Sequence, residues 1–68
     1  MQETLATVSF QIDILGIDEA LRRLGKKRTE YGDADDAAIK QALLEECSQE
    51  MLRDASAQEQ WTRTFGEA

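Results

Sequence analysis

The chain has 68 residues, 41% of them hydrophobic and 32% charged, and its formal net charge is −6 at pH 7. This length allows one small domain, and the composition is that of a folded globular chain rather than a disordered one. No apolar run is long enough to cross a bilayer, and the first residues lack the basic and apolar regions of a secretory signal. We therefore predict a single domain over residues 1–68, no membrane partner and a cytoplasmic location.

Residues 1–6 are predicted to form a flexible arm and residues 7–14 a β-strand. Apolar and polar residues alternate in the second segment, as expected for a strand with one buried face. Its apolar residues are Val8, Phe10, Ile12 and Ile14. No other segment has this pattern, and the backbone groups of a lone strand have no partners. We therefore expect the strand to pair between molecules, which makes these four residues candidates for a homodimer or partner interface.

Residues 18–24 are predicted to form a short helix that begins at Asp18 and ends before Gly25, which suits a left-handed helix end. A polar connector follows at residues 25–32. It carries the one basic cluster of the chain, Lys26, Lys27 and Arg28. This cluster is a candidate contact for an anion, although a solvated loop is the favoured interpretation because short basic runs have low specificity.

The segment 33–55 is predicted to be one long helix. Its apolar residues recur at intervals of three and four, which places them on one side of a helix. The stripe consists of Ile39, Leu43, Cys47 and Met51, widened by Ala42, Leu44, Leu52 and Ala55. Three aspartates, Asp33, Asp35 and Asp36, suit the helix start as caps and as charges near its positive end. A stripe of this length needs more cover than one strand and one short helix supply.

The last predicted element, residues 57–65, carries Trp61 and Phe65 on one face. The chain either bends near Ser56 into a third short helix that ends at Gly66, or the long helix continues. The two aromatic residues are candidates for the core, for a dimer contact or for a hook that binds a foreign protein.

No group of residues predicts catalysis or a cofactor. The chain has no histidine, which removes His-based acid–base chemistry and most catalytic zinc sites. Cys47 lies on the apolar stripe beside glutamates, a setting that favours a buried, inert thiol. The aspartate cluster does not match an EF-hand, because the glycine and glutamate positions of that loop hold Ala38 and Leu44. We predict no enzyme, no metal and no cofactor.

The predicted fold is mostly α with one N-terminal β-strand, in the order β-α-α, with a third helix if the chain bends. This order resembles the layout of ribbon–helix–helix DNA-binding dimers, and the polar strand face of Thr7, Ser9 and Gln11 suits base edges. The aspartates at the start of the long helix oppose phosphate contact, so nucleic acid is not the expected partner. The preferred function is a non-enzymatic interaction protein that occludes a protein partner, as an inhibitor, an antitoxin-like regulator or an accessory subunit. Residues 35–68 hold eight acids and three bases, which suits a partner with a basic surface.

Overall fold

The computed structural model describes residues 2–65, which form four α-helices and one short 3₁₀ helix. The α-helices are α1 (Gln2–Leu15), α2 (Ile17–Leu24), α3 (Asp36–Arg53) and α4 (Ser56–Phe65), and the 3₁₀ helix Arg28–Tyr31 lies between α2 and α3. None of the described residues is in a β-strand. The chain is therefore a small helical bundle, with extents of 31 × 25 × 19 Å along its principal axes.

The predicted N-terminal strand is wrong. Residues 7–14 lie inside α1, and so do residues 2–6 of the predicted flexible arm. Thr4, Val8 and Ile12 recur every four residues on the buried side of α1, whereas Phe10 and Ile14 lie on its exposed side. The four apolar residues of the predicted strand face are therefore divided between two sides of a helix.

The reason for this error is that the apolar residues of α1 fit two periods. Residues 8, 10, 12 and 14 alternate with polar residues, but they also form two pairs that are each four residues apart, as on a helix. An α-helix pairs its backbone groups within itself, whereas a strand needs a second strand. Residues 2–65 supply no second strand. Upstream, Gln2, Glu3, Leu5 and Ala6 are all good helix formers, so the helix extends over the whole segment.

Two glycines end the first two helices. Gly16 has a φ of +88° and Gly25 a φ of +71°, a backbone region that other residues rarely enter. The Gly16 N–H donates to the Ile12 carbonyl at 2.9 Å, and the Gly16 carbonyl accepts from the Ala20 N–H at 3.0 Å. Gly16 alone separates α1 from α2, and its positive φ turns the chain between the two helices.

The long central helix is shorter at both ends than the predicted segment 33–55. It begins after Asp35, whose carboxylate accepts a hydrogen bond from the Ala38 N–H at 2.9 Å, as an N-cap does. It ends at Arg53, and the carboxylate of the next residue, Asp54, accepts from the backbone N–H and the hydroxyl of Ser56 at 3.0 and 2.9 Å. The chain therefore bends at residues 54–55 into α4. Gly66, the predicted end of that helix, lies outside the described residues.

The apolar stripe of α3 is covered by the other helices of the same chain. α1 and α4 pack against α3 and against each other, and α2 contacts all three. Ile39, Leu43 and Cys47 are fully buried as a result, while Leu52 remains exposed. The core consists of Val8, Ile12, Ile17, Ala20, Leu21, Ile39, Leu43, Cys47, Met51, Ala57, Trp61 and Phe65. One chain thus covers the stripe that the sequence predicts to need a second chain.

Polar contacts of α2 fix its position against α4. The Arg23 guanidinium donates to the Thr64 carbonyl at 3.1 Å. Glu19 accepts hydrogen bonds from Arg22 at 2.9 and 2.6 Å and from Arg23 at 3.1 Å. These bonds, that of Arg22 above all, lower the pKa of Glu19 from 4.5 to about 2. Glu19 therefore holds the arginine that reaches α4.

Candidate functional site

Two large apolar side chains of α1 are in contact with solvent. Phe10 is 62% exposed and Ile14 is 60% exposed, and their four-residue spacing places them one turn apart on the same side of the helix. We call Phe10 and Ile14 the α1 outer face. Complete burial of a side chain of this kind is worth about 1.5–3 kcal/mol. A partner that covers the α1 outer face would therefore gain free energy that folding of this chain leaves unused.

A cleft of about 440 Å³ lies between the end of α1, the start of α2 and the first turns of α3. Its lining combines the buried side chains of Ile12 and Ile17 with exposed Asp13 and Asp36. The remaining lining residues are Gly16, Ala37, Lys40 and Gln41. Asp13 lies three residues after Phe10 and is therefore its neighbour on the surface of α1, so the cleft and the α1 outer face adjoin at Asp13.

Ion pairs join the elements around this cleft. Lys40 Nζ lies 2.7 Å from Asp13 Oδ1 and so connects α3 to α1. Arg28 Nη2 lies 2.8 Å from Asp36 Oδ1 and 3.2 Å from Asp18 Oδ1, and so connects the 3₁₀ helix to α3 and α2. These two carboxylates, Asp36 first, raise the pKa of Arg28. Exposed pairs of this kind contribute little to stability, and their carboxylates remain available to a second cation.

The charges around the cleft do not balance. Four carboxylates line it or belong to residues directly next to a lining residue in the chain, namely those of Asp13, Asp18, Asp35 and Asp36, and we call them the acidic end. The cations paired with them are Lys40 and Arg28, and two positive charges against four negative charges leave −2. Lys27 and Glu30 of the adjoining turn cancel each other. The cleft therefore presents negative charge around an apolar floor.

The other predicted interface residues are buried and have almost no contact with solvent. Val8 and Ile12 are 0% and 2% exposed. Trp61 and Phe65 are also buried, with their rings stacked at a centroid distance of 5.9 Å. The indole N–H of Trp61 donates to Glu50 at 2.9 Å, which satisfies the one polar atom of that ring. The structure therefore brings only Phe10 and Ile14 of the six residues to the exposed surface.

The basic cluster is surrounded by carboxylates. Lys26 Nζ lies 2.9 Å from Glu46 Oε1, and this contact raises the pKa of Lys26. Arg28 is shared between the two aspartates described above. Lys27 is exposed, and its backbone N–H donates to Glu30 at 2.8 Å. An anion at this cluster would have to displace these carboxylates, which makes the cluster a poor candidate for an anion site.

The arrangement of reactive groups does not favour nucleophilic chemistry at Cys47. Burial raises the pKa of the Cys47 thiol from 9.0 to about 11, and Glu50 adds to the effect. The reactive form of cysteine is the thiolate, which is scarce at neutral pH with such a pKa. Within residues 2–65 no three potential metal ligands among His, Cys, Asp and Glu lie together. What the exposed surface offers is an apolar face beside a charged cleft, which suits binding.

Sequence reasoning missed the cleft. Its lining comes from three helices, and Asp13 and Lys40 are far apart in the chain but 2.7 Å apart in space. One signal was present in the sequence, since Asp13 is the one charged residue of the segment 7–14. No helix among residues 2–65 is long and apolar enough to cross a membrane.

No family model matches this chain, and no curated protein or solved structure is significantly similar to it.

Proposed function

We propose that this chain is a small acidic, non-enzymatic interaction protein that acts by binding and covering a surface of a protein partner. The observation that carries the proposal is the exposure of Phe10 and Ile14 on one side of α1. Contiguous apolar patches rimmed by polar residues mark protein interaction sites once they reach a few hundred Å², and these two side chains together approach that size. The net charge of −6 favours a partner with a basic surface. Inhibitors, antitoxin-like regulators and accessory subunits all act by occluding a partner in this way.

The alternative of a ribbon–helix–helix DNA-binding regulator loses its basis in this fold. Its ribbon requires a strand from each chain, and residues 7–14 are helical. The homodimer was expected because the predicted strand needs a partner strand and because the apolar stripe of α3 needs other residues to cover it. Because that stripe is covered by α1, α2 and α4, a second copy is not needed to complete the fold.

The proposal is tested by affinity capture from the native host with three forms of the chain. The forms are the wild type, the double variant Phe10→Ser/Ile14→Ser, and Leu52→Ser as the matched control. Leu52 is 73% exposed and lies about 18 Å along α3 from Lys40, at about 1.5 Å per residue. We expect the wild type and the control to recover the same protein, and the double variant to recover at least about tenfold less.

Two further measurements make this test specific. The helicity and melting of the double variant must match those of the wild type, since it changes only exposed residues. A duplex-DNA shift assay at low salt should show no binding, because the negative chain repels phosphate. Equal recovery of a partner by all three forms, or a shifted duplex, would overturn the proposal.

A further inference from the structure

The chemistry of the partner follows from the α1 outer face and the acidic end together. We infer that the partner docks an amphipathic basic helix, with its apolar side on Phe10 and Ile14 and a lysine or arginine at the cleft between Asp13 and Asp36. This inference rests on the proposed function, because it names the partner segment that the same surface would bind. It goes beyond that function by fixing both the shape and the charge of the occupant.

The area of the α1 outer face argues against a second copy of this chain as the occupant. Two exposed side chains present on the order of 250 Å², given that one aromatic side chain buries about 150–250 Å². A stable interface needs roughly 800 Å² from each partner. A self-contact would have to spread along α1, where Glu3 and Asp13 are the charged residues and no base is present. The copies would then bring carboxylates towards carboxylates, which is unfavourable.

A helix with a basic side avoids the repulsion between carboxylates, and its contact is not confined to the small α1 outer face. It can lie over the α1 outer face and extend past Asp13 to the cleft, so that it covers both surfaces in one contact. Apolar residues at helical spacing match Phe10 and Ile14, which are themselves one helical turn apart. A cation at the flank of that helix meets an end of the molecule with a net charge of −2.

The existing ion pairs of the cleft leave room for such a cation. The side chains of Asp13 and Asp36 are 62% and 71% exposed even though each has a cationic partner. Each carboxylate has two oxygens that can accept several hydrogen bonds. The ion pairs of both carboxylates use only Oδ1. An incoming guanidinium or ammonium group can therefore bind without removing Arg28 or Lys40.

The inference is tested with a defined probe, a fluorescent 18-residue peptide of leucine and lysine arranged as an amphipathic helix. The control peptide has the same composition in scrambled order. We expect the helical peptide to bind the full chain at low salt, to bind more weakly as salt rises, and to shift the NMR signals of Phe10, Ile14 and Ala37. The scrambled peptide should bind at least about tenfold more weakly, since it cannot present one apolar side.

Two charge-matched variants separate specific docking from general attraction. Asp13→Asn/Asp36→Asn should weaken binding of the helical peptide about fivefold. Glu45→Gln/Glu59→Gln removes the same charge from exposed positions on the outer sides of α3 and α4 and should change binding less than twofold. Equal weakening by the two variants, equal binding of the two peptides, or NMR shifts elsewhere would each overturn the inference.

The failure of this inference is distinguishable from the failure of the proposed function. If the capture experiment depends on Phe10 and Ile14 but the basic helix does not bind, the α1 outer face binds a partner of other chemistry and only the inference falls. If the capture experiment does not depend on these residues, the proposed function falls, whatever the peptide does.

Discussion

Cys47 lies in an environment that differs strongly from that of a free cysteine in water. It is fully buried in the middle of α3, and burial raises its thiol pKa to about 11. The thiol can become a thiolate only if the charge is placed in the core or the chain opens. The reactivity of the Cys47 thiol therefore measures how often the chain opens and is not part of the function of the molecule.

We predict that Cys47 is protected from a thiol reagent such as an aromatic disulfide at pH 8, and that it is labelled only as fast as the chain unfolds. Because the folded pKa lies above the unfolded value of 9.0, the unfolded chain loses its proton first as pH rises. Stability contributed by the neutral thiol is full below about pH 9 and is lost between about pH 9 and 11.

The control is Cys47→Ala, which lacks the titrating group. The difference in unfolding free energy between wild type and variant, from urea melts at pH 8 and pH 10.5, should shrink by about 1–2 kcal/mol at the higher pH. Tyr31, whose pKa is raised by burial, is present in both forms and cancels. Rapid labelling of the native chain, or a constant difference, would contradict the buried position of this thiol.

At the scale of the element, α1 decides between the predicted and the observed fold. A strand would place Val8 and Phe10 on the same buried face, since they are two residues apart. The helix places Val8 in the core and Phe10 in solvent. A charge at Val8 should therefore disrupt either structure. A charge at Phe10 should disrupt the strand, where Phe10 is buried, but not the helix, where it is exposed.

We predict that Phe10→Asp changes the unfolding free energy by less than about 1 kcal/mol, as surface substitutions do. Val8→Asp should cost about 4 kcal/mol or more, because it buries an unpaired carboxylate among apolar side chains. That cost is comparable to the whole stability of a domain of this size. Helicity and thermal melting by circular dichroism measure both. Loss of folding in Phe10→Asp would contradict the position of Phe10 in α1.

The elements with a single period were the ones that sequence reasoning could place. In α3 the buried residues Ile39, Leu43, Cys47 and Met51 recur every four residues and fit no strand. In α2 the glycine at the end of the helix marks its boundary. In α1 the alternation of residues 7–14 and the helical spacing of Val8 and Ile12 coexist, and only the lack of a second strand separates them. The lack of a second strand is a property of the whole chain, so the local pattern of residues 7–14 could not distinguish a strand from a helix.

The candidate site was predictable only in part for a related reason. Phe10 and Ile14 follow from the sequence as interface candidates, although the sequence assigned them to the wrong element. The cleft depends on how α1 returns against α3, which brings Asp13 to Lys40. The burial of Trp61 depends on the bend at Asp54 and on Glu50 as the acceptor of its indole N–H. These are tertiary contacts, and no spacing within one element encodes them.

At the scale of the whole molecule, the exposed surface is that of an ordinary monomer. The accessible area is 4523 Å², and a monomeric protein of 7.7 kDa has roughly 4300 Å² by the usual scaling of area with mass. Four helices thus bury about as much surface as one chain of this size normally does, and the α1 outer face is too small to hold two copies together.

We therefore predict a single species of 7.7 kDa by light scattering on a sizing column at micromolar concentration. The variant Phe10→Ser/Ile14→Ser should have the same mass, because these residues are not needed for folding or assembly. A species of twice that mass that disappears in the variant would mean that a second copy covers the α1 outer face. That result would also remove the basic helix as its occupant, since one surface cannot be buried by both.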